Sequence, residues 1–233
     1  MILKGTSTID PINIKMKTKQ LCKIFCGDKL VWKRTPDELK GYVMYYVHDS
    51  IGSDRAMNNT TVSLLDKDKT LIDSTTINNT TGYFEFDNRS DLHKTRYIKI
   101  ATTIPHGGIS SSDALAISIK ANEDPISYWF PEWFLDRVGD VDGDGSITTD
   151  DAIDVSNRNL YPTDPDYYFR DPDDNLLDWV FGVMYDSTDD ESNGRLFKYD
   201  SANSGIVDYR KESELYIIAR CYGDILGNYN YPT

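Results

Sequence analysis

The sequence lacks a long apolar run, since none of its hydrophobic stretches approaches the roughly 18 residues that a helix needs to cross a bilayer. We therefore expect no membrane span. The opening segment, MILKGTSTIDPINIKMK, also lacks the apolar stretch and the small-residue cleavage site of a secretory signal. We expect a chain that acts without secretory export, or one whose leader was removed and whose Met1 was added in cloning.

Cysteine and histidine are scarce, with three of each in 233 residues. Cys22 and Cys26 would lie about 13 Å apart along one strand at ~3.3 Å per residue, which is too far for a disulfide. The three histidines are scattered, so a zinc site would lack its usual ligands. We therefore expect reduced, packed thiols and no zinc site.

Positive charge is in the minority, because 25 Lys and Arg stand against 38 Asp and Glu. The formal net charge is -13 and the isoelectric point is about 4.6. Such a chain repels a phosphate backbone, so we expect no nucleic-acid partner.

Known catalytic motifs are missing as well. The sequence contains no Gly-x-Ser-x-Gly, no HExxH, no phosphate loop and no dinucleotide fingerprint. Neighbouring carboxylates of the kind that glycosidases use do occur, as in DPDDN at 171–175, but coincidence explains them among 38 acidic residues. We expect a protein without enzymatic activity.

The residues that are abundant favour β structure: 16 Tyr, many Thr, Ile and Val, and turns rich in Asn, Gly and Asp. Within 36–103, strand-like segments recur at intervals of about ten residues, which suits a small β-sandwich. In TRYIKIATT, Ile98 and Ile100 alternate with polar or small residues, which predicts a strand with one apolar face.

The order of four segments, GYV, TVSLLDKD, TTGYFEF and YIKI, resembles the prealbumin-like or carboxypeptidase-regulatory-like sandwich, of immunoglobulin-like type, in bacterial surface proteins. The resemblance implies a spacer or adhesive scaffold for residues 36–103, without catalytic residues of its own.

Aspartates are clustered in the segment GDVDGDGSITTDDAIDV, residues 139–155. Its carboxylates fall at positions 1, 3, 5 and 12 of an EF-hand-type loop, where calcium ligands stand, and position 7 offers a backbone carbonyl. Gly145 at position 6 permits the sharp turn, and Ile147 at position 8 would anchor the loop to a core. The predicted metal ligands are Asp140, Asp142, Asp144, Ser146 and Asp151.

Charge supports a cation in this loop independently of the spacing. Five aspartates fall within residues 140–151, and no basic residue lies between Arg137 and Arg158. Two unit charges 4 Å apart interact by about 4 kcal/mol at an effective dielectric near 20. An exposed acidic turn would explain the Asp and Gly content but not the spacing with a hydrophobe at position 8. Without His or Cys, zinc and copper are disfavoured, and we expect one Ca²⁺.

The segment before the loop, FLDRVGDVDGDG, leaves little room for a regular entering helix. We therefore expect a loop followed by a helix in DDAIDVSNRNL, and this F-hand arrangement resembles a type I dockerin repeat. The segment HGGISSSDALAIS aligns with DGSITTDDAIDVS at an interval of 38 residues. Its first, third and fifth loop positions are Thr102, Ile104 and His106, which supply no carboxylate. The resemblance implies a dockerin-like repeat pair over 104–170, with the first helix retained and its calcium lost.

The tail, 171–233, returns to a β pattern and ends in RCYGDILGNYNYPT. This end resembles the closing element that follows dockerin-like pairs in bacterial surface proteins, except that Leu226 replaces an expected polar residue, which argues against a metal role for Asp224. The resemblance implies that the tail strands pack back on the sandwich and on the helical module.

The N-terminal part, 1–35, contains CKIFCGDKLVWKR, which predicts a β-hairpin with its turn at Gly27 and Asp28. The hairpin resembles an element near the start of bacteriophage tail and collar proteins, including those of the crAss-like group. The resemblance implies a docking arm of a virion structural protein that assembles in the host cytoplasm, as a homo-oligomer or ring with other virion proteins. The alternative is an extra hairpin in a bacterial cell-surface or secreted binding or adhesion module.

Overall fold

β-Strands make up most of the regular structure in this computed structural model, which describes residues 15–16, 19–20, 23–26, 29–33, 35–45, 55–122, 132–184, 206–209 and 213–227. In chain order the elements are β1 (Lys15–Met16), β2 (Lys19–Gln20), β3 (Lys23–Cys26), β4 (Lys29–Lys33), β5 (Leu39–Tyr45), β6 (Arg55–Ala56), β7 (Thr60–Leu65), β8 (Leu71–Ile77), β9 (Tyr83–Phe86), α1 (Arg89–Lys94), β10 (Tyr97–Thr102), α2 (Ser111–Ala121), α3 (Glu132–Gly139), α4 (Thr149–Leu160), a 3-10 turn (Pro165–Tyr167), β11 (Trp179–Met184), β12 (Ile206–Asp208) and β13 (Glu214–Cys221). The prediction of a mainly β fold with a small α part is confirmed.

Two main sheets share one apolar core, an arrangement compatible with a β-sandwich. One sheet has the strand order β12-β10-β7-β8, and the other has the order β11-β13-β5-β6, with β9 also paired to β5. Val62 and Ile98 from the first sheet are buried in the same cluster as Val43 and Ile217 from the second. In β10 the isoleucines are buried and Lys99 is exposed, so the predicted apolar face is confirmed.

The tail contributes strands to both sheets. β13 runs parallel to β5, from Glu214 opposite Lys40 to Ala219 opposite Tyr45, and it is antiparallel to β11. β12 extends the other sheet beside β10. Gly41 permits the close parallel pairing, because a Cβ at this position would overlap the carbonyl oxygen of Leu215.

β13 is buried on both of its faces. Leu215 and Ile217 face the sandwich core, whereas Ile218 belongs to a second core that contains Ile117 of α2 and Val155 of α4. A strand covered on both sides has a nearly continuous apolar sequence, which is what LYIIA shows. The helices and the sheets are therefore joined through a shared strand.

α2 and α4 begin with the same local hydrogen bonds. The carboxylate of Asp113 accepts from the backbone N–H and the hydroxyl of Ser110, and Asp151 accepts the equivalent pair from Thr148. Such a capping box satisfies N–H groups that a first helical turn leaves unbonded. Both segments expected to be helical are helices, and they pack against each other. No helix in the described part of the chain has the length and apolar character to cross a membrane.

The expectation that no regular helix precedes the acidic loop is wrong. α3 ends at Gly139, directly before Asp140. Its Phe134, Leu135 and Val138 are buried in the second core, and an isolated helix of this length is not stable in water. Tertiary packing therefore stabilises a helix that local propensity does not predict.

The predicted N-terminal hairpin is present in the backbone. β3 and β4 pair antiparallel, with Ile24 opposite Trp32, and β1 pairs with β2. In the described part of the chain these strands form two-stranded sheets of their own. The predicted turn at Gly27 and Asp28, like Cys22, lies outside the described residues.

Candidate metal centre

Three carboxylates converge at the end of α3. Asp140, Asp142 and Asp144 each offer one oxygen atom, and these atoms lie within 4.8 Å of one another. The chain turns back on itself at Gly143 and Gly145, whose φ angles of 70° and 97° lie in the left-handed region that glycine tolerates best. Alternate aspartates therefore point to a common centre, as the sequence spacing predicts.

The loop is also held by hydrogen bonds from its backbone to its own carboxylates. Oδ1 of Asp142 accepts from the N–H of Asp144 at 3.0 Å, and Oδ1 of Asp144 accepts from the N–H of Ser146 at 2.8 Å. Ser146 is exposed and lies directly after the turn. Each bond is formed over two residues, so the loop is partly preorganised by local contacts.

Asp140 is the most constrained of the three carboxylates, since the residue is only 3% exposed. Its Oδ2 accepts from the Arg137 guanidinium at 3.1 Å and from the Gly145 N–H at 3.2 Å. Its Oδ1 is buried and has no hydrogen-bond partner in the described structure. Burial raises the pKa of Asp140 to about 6, and Asp151 and Asp142 act in the same direction, against Arg137. A buried oxygen without a partner is costly, and a bound cation would supply the missing interaction.

Asp151 is placed beside the three converging carboxylates and has other partners. Its Oδ1 accepts from the backbone N–H groups of Val141 and Asp142 at 2.8 and 3.4 Å. Its Oδ2 accepts from the N–H of Thr148 at 2.8 Å. Burial raises the pKa of Asp151, and the hydrogen bonds from Thr148 and Val141 oppose that effect. Asp151 thus links both ends of the loop while it caps α4.

The loop is anchored to the second core on its far side. Ile147 is partly buried and packs against that core, so the anchoring role predicted for it is confirmed. The N–H of Gly223 donates to the carbonyl of Val138 at 2.8 Å, which ties the end of α3 to the turn after β13. Gly223 has φ of 80°, and a Cβ there would press on Phe169 and Val155.

Two buried charged residues, one near the end of β13 and one in the turn after it, have contacts that the sequence did not indicate. Arg220 is fully buried and donates to the carbonyl oxygens of Asp224 and Ile225. Asp224 accepts from the Tyr45 hydroxyl and from the N–H of Gly227. Since Tyr45 lies at the end of β5, these bonds connect the closing turn to the sandwich. The only sequence signal for these contacts is the basic residue and the acidic residue four positions apart in RCYGD.

The three residues that the sequence alignment assigns to the loop of a first repeat lie at the edge of the sandwich. Thr102 is the last residue of β10, and Ile104 is buried. Nε2 of His106 donates to the carbonyl oxygen of Tyr222 at 2.9 Å, and its ring meets Phe169 edge-on. Thr102 and Ile104 therefore belong to the sandwich, and His106 connects it to the helical core through Tyr222 and Phe169.

His106 predicts a dependence of stability on pH. Burial lowers the pKa of His106 to about 4, and Arg158 acts in the same direction, against the hydrogen bond to Tyr222. In the unfolded chain, this histidine has the ordinary pKa of about 6.5 and is protonated below it. The folded protein takes up that proton only near pH 4, so the free energy of unfolding decreases as the pH is lowered from 6.5 to 4. We expect the difference in free energy of unfolding between the wild type and His106→Asn to narrow by about 2 kcal/mol between pH 7 and pH 4.

Urea denaturation at several pH values measures this difference. The exposed His93 provides the matched variant His93→Asn, which controls for the loss of one imidazole. The carboxylates of the protein are common to all three chains, so their titration cancels in the comparison. Parallel stability curves for the wild type and His106→Asn would contradict the prediction.

The described cysteine in the core, Cys221, is buried and unbridged. Its sulfur accepts from the N–H of Gly107 at 3.4 Å. Burial raises the pKa of the Cys221 thiol well above its ordinary value, so it is a packed, unreactive thiol.

Comparison of the chain with protein-family models, with curated proteins and with solved structures yields no significant match. The geometry and charges of this chain are therefore the basis for its proposed function.

Proposed function

We propose that the protein is a non-enzymatic structural component of a bacteriophage virion, in the tail, collar or a ring, in which one Ca²⁺ staples a dockerin-like helical module to a β-sandwich and so supports protein–protein assembly. The observation that carries the calcium site is the buried, unpartnered Oδ1 of Asp140 beside the carboxylates of Asp142 and Asp144.

The donor set favours calcium over other divalent ions. All of the grouped ligand atoms are carboxylate oxygens, which suit hard cations, whereas zinc and copper prefer nitrogen or sulfur donors. Calcium accepts six to eight oxygens in a flexible geometry, while Mg²⁺ demands a near-ideal octahedron and retains water. The carbonyl of Ser146 and the carboxylate of Asp151 would complete the coordination, directly or through water.

A cation at this site would stabilise the joint between helices and sheets. The loop connects the end of α3 to the start of α4. Both helices pack in the second core, to which β13 contributes Ile218, and β13 is also a strand of the sandwich. Neutralising the grouped carboxylates would remove their mutual repulsion and order the loop. A rigid, ion-stabilised joint is suited to a structural role, because it keeps the module in a fixed orientation.

The placement in a virion is supported by the N-terminal hairpin and its resemblance to tail and collar elements. Mass spectrometry and antibody labelling of purified particles test it directly. We expect the protein in intact particles, with the label at the tail or collar. Its absence from purified particles of the phage that encodes it would contradict this placement.

The second candidate function is that of a bacterial cell-surface or secreted binding module, and the order of segments over residues 39–233 favours it. This candidate requires a longer precursor with a leader and neighbouring domains. The genes that flank the coding sequence distinguish the two candidates, since portal and tail genes support a virion protein, and polysaccharide or adhesin genes support a surface module.

A further inference from the structure

Charge is distributed very unevenly along the chain. Residues 1–34 contain eight Lys or Arg and two Asp, a net charge of +6. Since the whole chain has a net charge of -13, the rest of the chain has a net charge of -19. Residues 140–174 contain eleven Asp and two Arg, a net charge of -9. The basic N-terminal segment includes the hairpin of β3 and β4. Separate segments of opposite charge on one chain can recognise each other.

The acidic segment forms an exposed helix face that also carries apolar side chains. On α4, Leu160 is 65% exposed, Ile153 is 56% exposed and Tyr161, just after the helix, is 50% exposed. Asp150 and Asp154 are exposed on the same face, at helical spacing from these residues. The face defined by these five residues is called the acidic α4 face. Exposed large apolar side chains of this kind are typical of interaction surfaces.

A cavity of about 230 Å³ adjoins the acidic α4 face. It is lined by Asp142, Asp154, Asp166 and Tyr167, and also by Arg170, whose guanidinium donates to the carbonyl and carboxylate oxygens of Asp174. The Tyr167 ring is stacked on Tyr161, with centroids 4.8 Å apart. Carboxylates together with an aromatic ring attract an ammonium or guanidinium group. The chemistry of this cavity therefore suits a Lys or Arg side chain from a partner.

The linker after the hairpin and the helical module join the sandwich at opposite ends of β13. The chain leaves the hairpin at Lys33 and enters β5 at Leu39, beside the start of β13, where Lys40 N–H donates to the Ser213 carbonyl. The helical module is tied to the other end of β13 through Gly223. The strand spans about 23 Å at ~3.3 Å per residue, whereas the five-residue linker 34–38 reaches at most about 18 Å. A hairpin docked on its own copy must extend back along β13, whereas docking on a second copy needs no such extension.

We propose that the basic N-terminal hairpin of one copy docks on the acidic α4 face of a second copy, with a Lys side chain in the adjoining cavity. This deepens the proposed structural function and rests on it. The contact joins two different surfaces, so it is heterologous, and repetition of it produces a ring or a filament. The attraction is between charges at a solvated surface, so it weakens as salt is added.

Two variants of the full-length chain test this docking. The arm variant carries Lys23→Glu, Lys29→Glu and Lys33→Glu, and the face variant carries Asp154→Asn and Asp166→Asn. A matched control neutralises two exposed acids of the sandwich, Asp73→Asn and Asp87→Asn. Sedimentation velocity with calcium present measures the oligomeric state, and circular dichroism verifies that each variant is folded.

The wild type and the matched control are expected to assemble at about 0.05 M NaCl. At about 0.5 M NaCl, the affinity between copies is expected to be at least about tenfold weaker. Each of the two test variants is expected to be monomeric. A mixture of them is expected to form 1:1 dimers that do not grow, because only one intact arm and one intact face remain between them.

A monomeric wild type at low salt would overturn the proposal, as would a mixture that stays monomeric. A face variant that still dimerises by itself would also overturn it, because that is the result for a symmetric arm-to-arm contact. Equal dissociation of the matched control would mean that charge alone, and not this face, drives assembly. A wild type that is monomeric and still stabilised by calcium would reject the docking and leave the calcium site intact. If the mixture forms dimers but the protein is absent from purified virions, the virion placement is rejected and the docking is retained.

Discussion

Removal of calcium with a chelator is expected to lower the melting temperature of the wild type by about 5–10 °C. An ion present at 100 times its dissociation constant stabilises the folded state by about 2.7 kcal/mol, and each kcal/mol corresponds to about 2–4 °C for a chain of this size. The stabilisation arises because the ion binds carboxylates that the folded loop holds together and the unfolded chain does not. Circular dichroism melts with calcium and with chelator measure the shift.

The variant Asp144→Ala is expected to melt at the temperature of the chelated wild type and to show no further response to chelator. Asp144 is exposed, so its truncation removes a ligand with little loss of packing. Asp173→Ala, at an exposed aspartate in the later loop 171–175, is the matched control and should retain the full response. An unchanged melting temperature of the wild type on chelation would exclude a structural calcium ion.

Truncation of a buried side chain on either face of β13 is expected to destabilise the whole protein. Ile217 is fully buried in the sandwich core, and Ile218 is 1% exposed in the helical core. Each replacement by Ala should cost about 2–5 kcal/mol, from lost burial and from the cavity that remains. Because one strand contributes to both cores, Ile217→Ala and Ile218→Ala should both lower a single, common unfolding transition.

Scanning calorimetry, together with tryptophan fluorescence and far-ultraviolet circular dichroism, measures that transition in each variant. Ser74→Ala, on the exposed edge strand β8, is the control and should change stability by less than about 0.5 kcal/mol. Two separate transitions, one shifted only by Ile217→Ala and the other only by Ile218→Ala, would show that the sandwich and the helical module unfold independently and that the shared strand does not couple them.

The features that the sequence predicts correctly are those determined by near neighbours. Alternation at Ile98 and Ile100 identifies a strand with one buried face, since side-chain direction reverses at every residue. The spacing of Asp140, Asp142 and Asp144 around two glycines brings three carboxylates together, because backbone turns within the loop orient them. These patterns require no knowledge of distant residues.

Other features of the site depend on residues far apart in the chain. α3 is absent from the sequence-based prediction because its stability comes from burial of Phe134, Leu135 and Val138 in a core that the tail strands complete. The extra partners of Asp151 follow from the position of Val141 after this helix. Neither local propensity nor motif spacing contains that information.

Composition and short-range spacing are local properties, and they are enough to predict a mainly β chain, a loop with calcium-ligand spacing and the opposite charges of the N-terminal and acidic segments. Tertiary contacts are needed to show that β13 belongs to both cores, that Oδ1 of Asp140 is buried without a partner, and that the linker after the hairpin and the helical module join the sandwich at opposite ends of β13. The physical reason is that burial and relative position are set by the pairing of strands distant in sequence, such as β5 with β13. That pairing brings the closing turn against α3 and so places the acidic loop at the joint between helices and sheets.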